Sequence, residues 1–220
     1  MAICLSRIFL SMAGAMLTQV SNGLELSGTV TDGENPVSHV VVSAHPQPAS
    51  AVQHPSLKAV SIELDQKSRE FVPHILAIKR GTPVYFPNSD DIKHHVYSFS
   101  STKRFEIKLY SGTPVEPIVF EQTGIVTLGC NIHDWMLGYI YVTDAEYLTQ
   151  SDREGRWLLA VPSGQYRVTL WHPDAENGEH TQTIDIRRNT LLHHHLPLKT
   201  DQPTGKPPAN LQLQVYDGGF

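Results

Sequence analysis

The 220-residue chain is 40% hydrophobic and 18% charged, which supports a packed core and argues against wholesale disorder. Its 17 Lys and Arg against 22 Asp and Glu give a formal charge of -5, so no basic excess is present to neutralise a nucleic-acid backbone. Two cysteines exclude a disulfide scaffold and a Cys-rich zinc module, while 15 Gly and 15 Pro point to the many turns of an all-β protein.

In chain order, residues 1–23 read as a secretory signal. Arg7 is the positive n-region, 8–20 is the apolar stretch, and Ser21, Asn22 and Gly23 are the small or polar residues of a cleavage site. The apolar stretch is shorter than the ~20 residues of a spanning helix, so export to the periplasm is expected, with no membrane span after cleavage. Cys4 would leave with the signal. Cys130 then remains as a lone thiol in an oxidising compartment, either a buried inert side chain or a thiolate held by metal.

Short β-branched and aromatic runs between turn residues follow. Strands are predicted over 24–31, 40–44, 59–64, 75–78, 82–86, 95–99, 106–109, 118–121, 124–128 and 139–142. A later set covers 157–160, 166–171, 181–186 and 190–196. Residues 46–57 read as a loop and 199–220 as a poorly packed tail. So many strands at short spacing predict antiparallel β-sandwiches.

The run Gly129-Cys130-Asn131-Ile132-His133-Asp134-Trp135-Met136 carries the chemistry. A thiolate, an imidazole and a thioether at successive i+3 positions form a copper rather than a zinc donor set. The alternative is a buried Cys beside a surface His and a core Met. A mononuclear centre needs one more histidine, and His94-His95 after the polar turn 87–93 offers it. Copper would deprotonate and protect Cys130. Two imidazoles and a thiolate in a plane, with a weak axial thioether, suit both copper oxidation states and need no open position for substrate.

The stretch from about 71 to 142 resembles the cupredoxins, the plastocyanin-like blue copper family. The resemblance runs through Phe71-Val72-Pro73, Gly81-Thr82-Pro83-Val84, Asn88-Ser89-Asp90, His94-His95-Val96, Gly124, the Cys130–Met136 loop and Gly138-Tyr139-Ile140-Tyr141-Val142. The short Cys-x2-His-x2-Met loop is most similar to amicyanins, which carry electrons for methylamine dehydrogenase. The mature chain is also similar to longer bacterial proteins labelled methylamine utilization or plastocyanin-like. The resemblance implies a Greek-key sandwich over 55–145 and one type 1 copper held by His94, Cys130, His133 and Met136. At His95 the family usually has Asn, which ties the two ligand loops together. Strand alternation lets only one of His94 and His95 reach the site. Asp134 and Trp135 replace a Pro-aromatic pair. An unscreened Asp134 carboxylate would favour Cu(II) and lower the potential. Trp135 either shields the metal or contacts a partner.

Segments 26–45 and 151–171 resemble the two halves of a carboxypeptidase regulatory-like domain, a small transthyretin- or Ig-like sandwich. The expected organisation is therefore that domain over 24–50 and 146–198, with the cupredoxin inserted. The alternative is an N-terminal arm plus an independent C-terminal module. His193, His194 and His195 read as an exposed strand or edge face, with a weak accessory copper site as the alternative. His74 reads as a partly exposed sandwich position and His172 as structural. No nucleophile elbow or carboxylate pair supports an enzyme. The expected activity is one-electron transfer with a redox protein partner, a dehydrogenase or a cytochrome c. Its rivals are copper storage, delivery or sensing with the same ligands, a copper catalyst with an open position, and a metal-free scaffold or adhesion module.

Overall fold

The computed structural model describes residues 23–48 and 62–199. The signal reading of 1–22 with Cys4, most of the 46–57 loop, the strand start at 59–61 and the tail beyond 199 lie outside the described residues. Among those described there are eighteen strands and no helix, so the chain is all-β.

The middle of the chain builds one sandwich. Strands β7 (Ile75–Lys79), β9 (His94–Ser98), β10 (Phe105–Tyr110), β12 (Gly124–Cys130) and β13 (His133–Thr143) form a sheet in the order β10-β9-β12-β13-β7. A second sheet joins β11 (Ile118–Val119), β8 (Pro83–Tyr85) and β4 (Ile62–Glu63), in that order. Apolar residues at alternate positions face inward, so Phe71, Phe86, Val96, Phe120, Leu128 and Ile140 meet in one buried core. A hairpin of β5 (Asp65–Lys67) and β6 (Glu70–Val72) lies beside it.

The flanking segments build the other sandwich together. Strand β1 (Leu24–Asp32) lies between β15 (Arg156–Val161), antiparallel, and β18 (Thr190–His195), parallel. The short β2 (Asn35–Pro36) pairs with the end of β1. Strand β3 (Val41–Gln47) lies between β14 (Tyr147–Gln150) and β16 (Gly164–Trp171), and β16 pairs onward with β17 (Glu179–Ile186). Leu26, Val42, Trp157, Val168, Leu170 and Ile186 fill this second core. Strands before the middle sandwich thus pair with strands after it.

A third apolar cluster joins the two bodies. Val41 and Trp171 from one meet Ile75 and Tyr141 from the other, all buried. The Trp171 ring lies 5.3 Å from Tyr141 and 6.1 Å from Tyr139. Lys79 donates to the carbonyls of Ala145 and, at 2.8 Å, Glu146, fastening the linker to β7.

Four strands were not expected from sequence: β2, β5, β6 and β14. The β5–β6 turn has no Gly or Pro, yet Ser68 and Arg69 take positive φ angles of 57° and 60°. Its turn geometry is therefore carried by residues that do not advertise it. The largest extension is β13, which starts at His133 rather than 139, inside what the sequence suggested was a loop.

His172 follows β16, and burial holds its imidazole down at about 4, although the Asp174 carboxylate partly opposes this. Between pH 4 and 6.5 the unfolded chain therefore binds the extra proton, so stability falls as pH falls through that window. For this one group the loss is about 2 kcal/mol at pH 5 relative to pH 7. Urea unfolding at the two pH values should give a smaller difference for His172→Asn than for the native chain.

Candidate metal centre

Strand alternation puts His94 inside and His95 outside. His94 opens β9 with its ring fully buried, whereas His95 turns to the other face and pairs with Glu106 at 2.8 Å. Cys130 ends β12, is 4% exposed, and lies opposite Val96 of β9. A two-residue turn, Asn131-Ile132, brings in His133, which pairs directly with Cys130.

His133 and Met136 are three residues apart, so a regular strand would send them to opposite faces. The pairing is not regular there. Gly129 lies opposite Leu137 and Cys130 opposite His133, so one step on β12 spans four on β13. This bulge re-aims the segment, and Met136 enters the core that also contains Cys130. Met136 is 1% exposed, while Asp134 within the bulge is exposed.

Three donors converge. Cys130 Sγ lies 3.6 Å from His94 Nδ1 and 3.7 Å from His133 Nδ1, and all three candidate ligand atoms fall within 4.8 Å of one another. Bonds of ~2.0 Å to nitrogen and ~2.3 Å to sulfur, opened at ~110–120°, hold sulfur and nitrogen ~3.5–3.8 Å apart. The donor set therefore fits a first-row metal ion. Among the described residues it is the one group of three such donors this close together.

The surroundings prepare each donor. Asp90 Oδ2 lies 2.8 Å from His94 Nε2. An ionised carboxylate only accepts, so Nε2 carries the ring proton and the lone pair of the neutral ring sits on Nδ1, facing Cys130. Asp90 also accepts from the amides of Ser68 at 2.6 Å and Arg69 at 2.9 Å. Burial works against its charge, but these amides and His94 prevail and hold the carboxyl below its usual value. Asn88 shapes the same loop. Its Nδ2 donates to Ile92 O and Tyr110 O, and its Oδ1 accepts from the Asp90 amide.

Burial disfavours the Cys130 thiolate, yet the hydrogen bond from His94 and those from the His95 and Ile132 amides bring the thiol below its ordinary value. Burial likewise disfavours His94 as a cation, but Cys130 and Asp90 outweigh it and raise the imidazole. His133 is lowered, by burial first and then by the charges of His94 and Arg69. In the metal-free protein His94 and Cys130 thus each favour the charged form of the other.

The main chain at residue 95 supplies the link expected of an Asn side chain there. Its amide donates to Cys130 Sγ, and its carbonyl accepts from the Asn131 amide at 3.0 Å. Trp135 is half-buried against the sandwich core, with its ring 5.1 Å from that of His133. Asp134 lies at the rim of a surface pocket of about 140 Å³ that also touches Cys130, Met136, Tyr97 and Leu137. Its exposure lets solvent screen the carboxylate.

The other histidines lie elsewhere. His193 and His195 are exposed on β18 and His194 is buried between them. His74 packs edge-on against Tyr139 at 5.5 Å, and His172 Nδ1 accepts from the Asp174 amide at 3.3 Å. In the sequence Asp90 and Asn88 stand only as part of a motif, and nothing marks a role for Gln66. That residue is buried and donates to Pro87 O at 2.9 Å, bracing the same loop.

No family model matches the chain, and no curated protein does. Solved structures similar to it include a copper-containing nitrite reductase from Thermus scotoductus SA-01, at 24% identity and a TM-score of 0.37. That match covers 45% of this chain and 25% of the reductase, so the chain spans about a quarter of the enzyme's length. A purple cupredoxin from Nitrosopumilus maritimus matches at 22% identity and a TM-score of 0.34, over 37% of this chain and 99% of its own. Amicyanin from Paracoccus versutus matches at 18% identity and a TM-score of 0.33, over 40% of this chain and 86% of its own. At such TM-scores these likenesses carry no weight for function, and the donor set stands on its own geometry.

Asp90 fixes both the tautomer of His94 and the loop before it. Asp90→Ala should lower copper affinity about 10–100-fold, as removal of an outer hydrogen-bond partner does. Competition with a calibrated chelator measures it, and unchanged affinity would show that Asp90 does not orient the ligand.

Proposed function

We propose that this chain is an exported copper protein that carries single electrons and performs no substrate chemistry of its own. The observation that carries the reading is the buried Cys130 thiol with two imidazole nitrogens at 3.6 and 3.7 Å. His94, Cys130 and His133 would hold one type 1 copper ion, with Met136 as a fourth, weaker donor. When bound, copper would supply a one-electron couple.

The residues prepare for that role in distinct ways. Asp90 keeps the proton of His94 on Nε2, so Nδ1 binds without a change of tautomer. The amides of His95 and Ile132 stabilise negative charge on sulfur and leave less of it to be gained on binding. Pairing on both sides of β12 holds Cys130 in place between β9 and β13. Such a preformed pocket resists rearrangement between oxidation states, which lowers the barrier to electron exchange. The proposed setting is the periplasm, and the proposed partner is another redox protein, a dehydrogenase or cytochrome c. A link to methylamine oxidation belongs to the same proposal. In this reading the second sandwich is the regulatory-like module and serves as scaffold.

The pocket that touches Cys130 and Met136 favours a second reading, in which copper is handed on. Copper then exchanges, and no reversible redox couple is needed.

Purified protein loaded with Cu(II) should show a strong thiolate band near ~600 nm that Cys130→Ser abolishes. Bound copper without the band would overturn the type 1 assignment. With the band present, voltammetry should be reversible and a chelator should remove copper slowly. Rapid removal would transfer the assignment to delivery.

A further inference from the structure

The second sandwich places two imidazoles face to edge where its sheets meet. His194 points inward from β18, an edge strand of one sheet, and is 8% exposed. His180 lies near the start of β17, the edge strand of the other sheet, and is exposed. Their ring centres are 5.7 Å apart with planes at 65°. An ion ~2.0 Å from one nitrogen of each ring leaves the ring centres roughly 5–6 Å apart. The His94–His133 pair of the first centre is separated by 5.1 Å.

A third donor is at hand. The Gln182 side-chain amide meets His194 Nε2 at 3.3 Å, and Gln182 lies two residues from His180 on the same face of β17. Amide oxygen and nitrogen exchange places by a simple flip, so Gln182 can offer an oxygen. Behind the pair, the Trp157 ring lies 6.1 Å from His194. It reaches there across β1 because Gly28 has no side chain: a Cβ at that position would come within 2.7 Å of the indole. Trp157 Nε1 is buried with no partner among the described residues, leaving a donor for a water or counter-ligand brought in with an ion.

We propose that His180 and His194, with Gln182, form a second and exchangeable site for a borderline divalent ion, Cu(II) or Zn(II). Two imidazoles and an amide oxygen suit these ions and offer no thiolate. Burial holds His194 down at about 4, with the charges of His180 and His193 adding to it, so a proton does not compete for its lone pair at neutral pH. The site is independent of Cys130. His193 and His195 do not contribute, because they face the outer side of β18, where Thr29 and the Gly33 amide meet their Nδ1 atoms.

Zn(II) titration calorimetry of the whole protein tests the site. The native chain should bind one more equivalent than His180→Ala, or bind it at least tenfold more tightly. His195→Ala should match the native chain. Equal stoichiometry and affinity for native and His180→Ala would overturn the proposal, as would loss of the extra equivalent in His195→Ala. Cys130→Ser should bind one more equivalent of weakly coloured Cu(II) than Cys130→Ser/His180→Ala, and equal stoichiometry in the two would equally reject the site.

Discussion

The Asp90 carboxylate is the point on which the first centre depends. It accepts two amides from the β5–β6 turn and bonds the buried ring of His94. One side chain therefore ties a hairpin outside the main sheets to β9 within the five-stranded sheet. The turn can present two adjacent amides because Ser68 and Arg69 take left-handed backbone angles, an arrangement few non-glycine residues adopt without such a reward. Without the carboxylate, His94 would be a buried imidazole of undetermined tautomer. With it, the ring has one orientation and one free lone pair.

The second constraint is the bulge in β13. Regular pairing along the whole of β12 would place only one of His133 and Met136 inside. The irregular step places the thioether in the core and expels Asp134 to solvent. The same strand continues to Tyr139 and Tyr141, which pack on Trp171 of the other sandwich. A single eleven-residue strand thus runs from the candidate metal donors to the seam between the two bodies.

Much of this was legible in the residues. Period-two alternation revealed the long strands and the inward turn of His94, since strand geometry is local and repeats every two residues. The Cys130 and His133 spacing marked two of the three donors that converge, because few other roles need a thiol and an imidazole on one turn. The supports were harder to read. Asp90 acts on residues 68 and 69, about twenty positions back, and nothing in the sequence shows that these will meet. Strands β5 and β6 are three residues each, too short to display a period. The tie at residue 95 runs through the main chain, so the side chain there carries no trace of it. His180 and His194 come together only because two edge strands of different sheets converge.

The pairing of β3 with both β14 and β16 has a consequence for how the chain acquires its shape. During synthesis β1 and β3 emerge before the middle sandwich, but β14, β15, β16 and β18, their long partners, are made only after it. The middle sandwich needs only residues up to Thr143 and can close earlier. Once closed, it makes the connection between β3 and β14 more compact than an unfolded segment of the same length, which lowers the entropy of bringing them together. The inserted body therefore acts as the clasp for the outer one, and a lesion that slows the first will delay the second without touching any of its contacts.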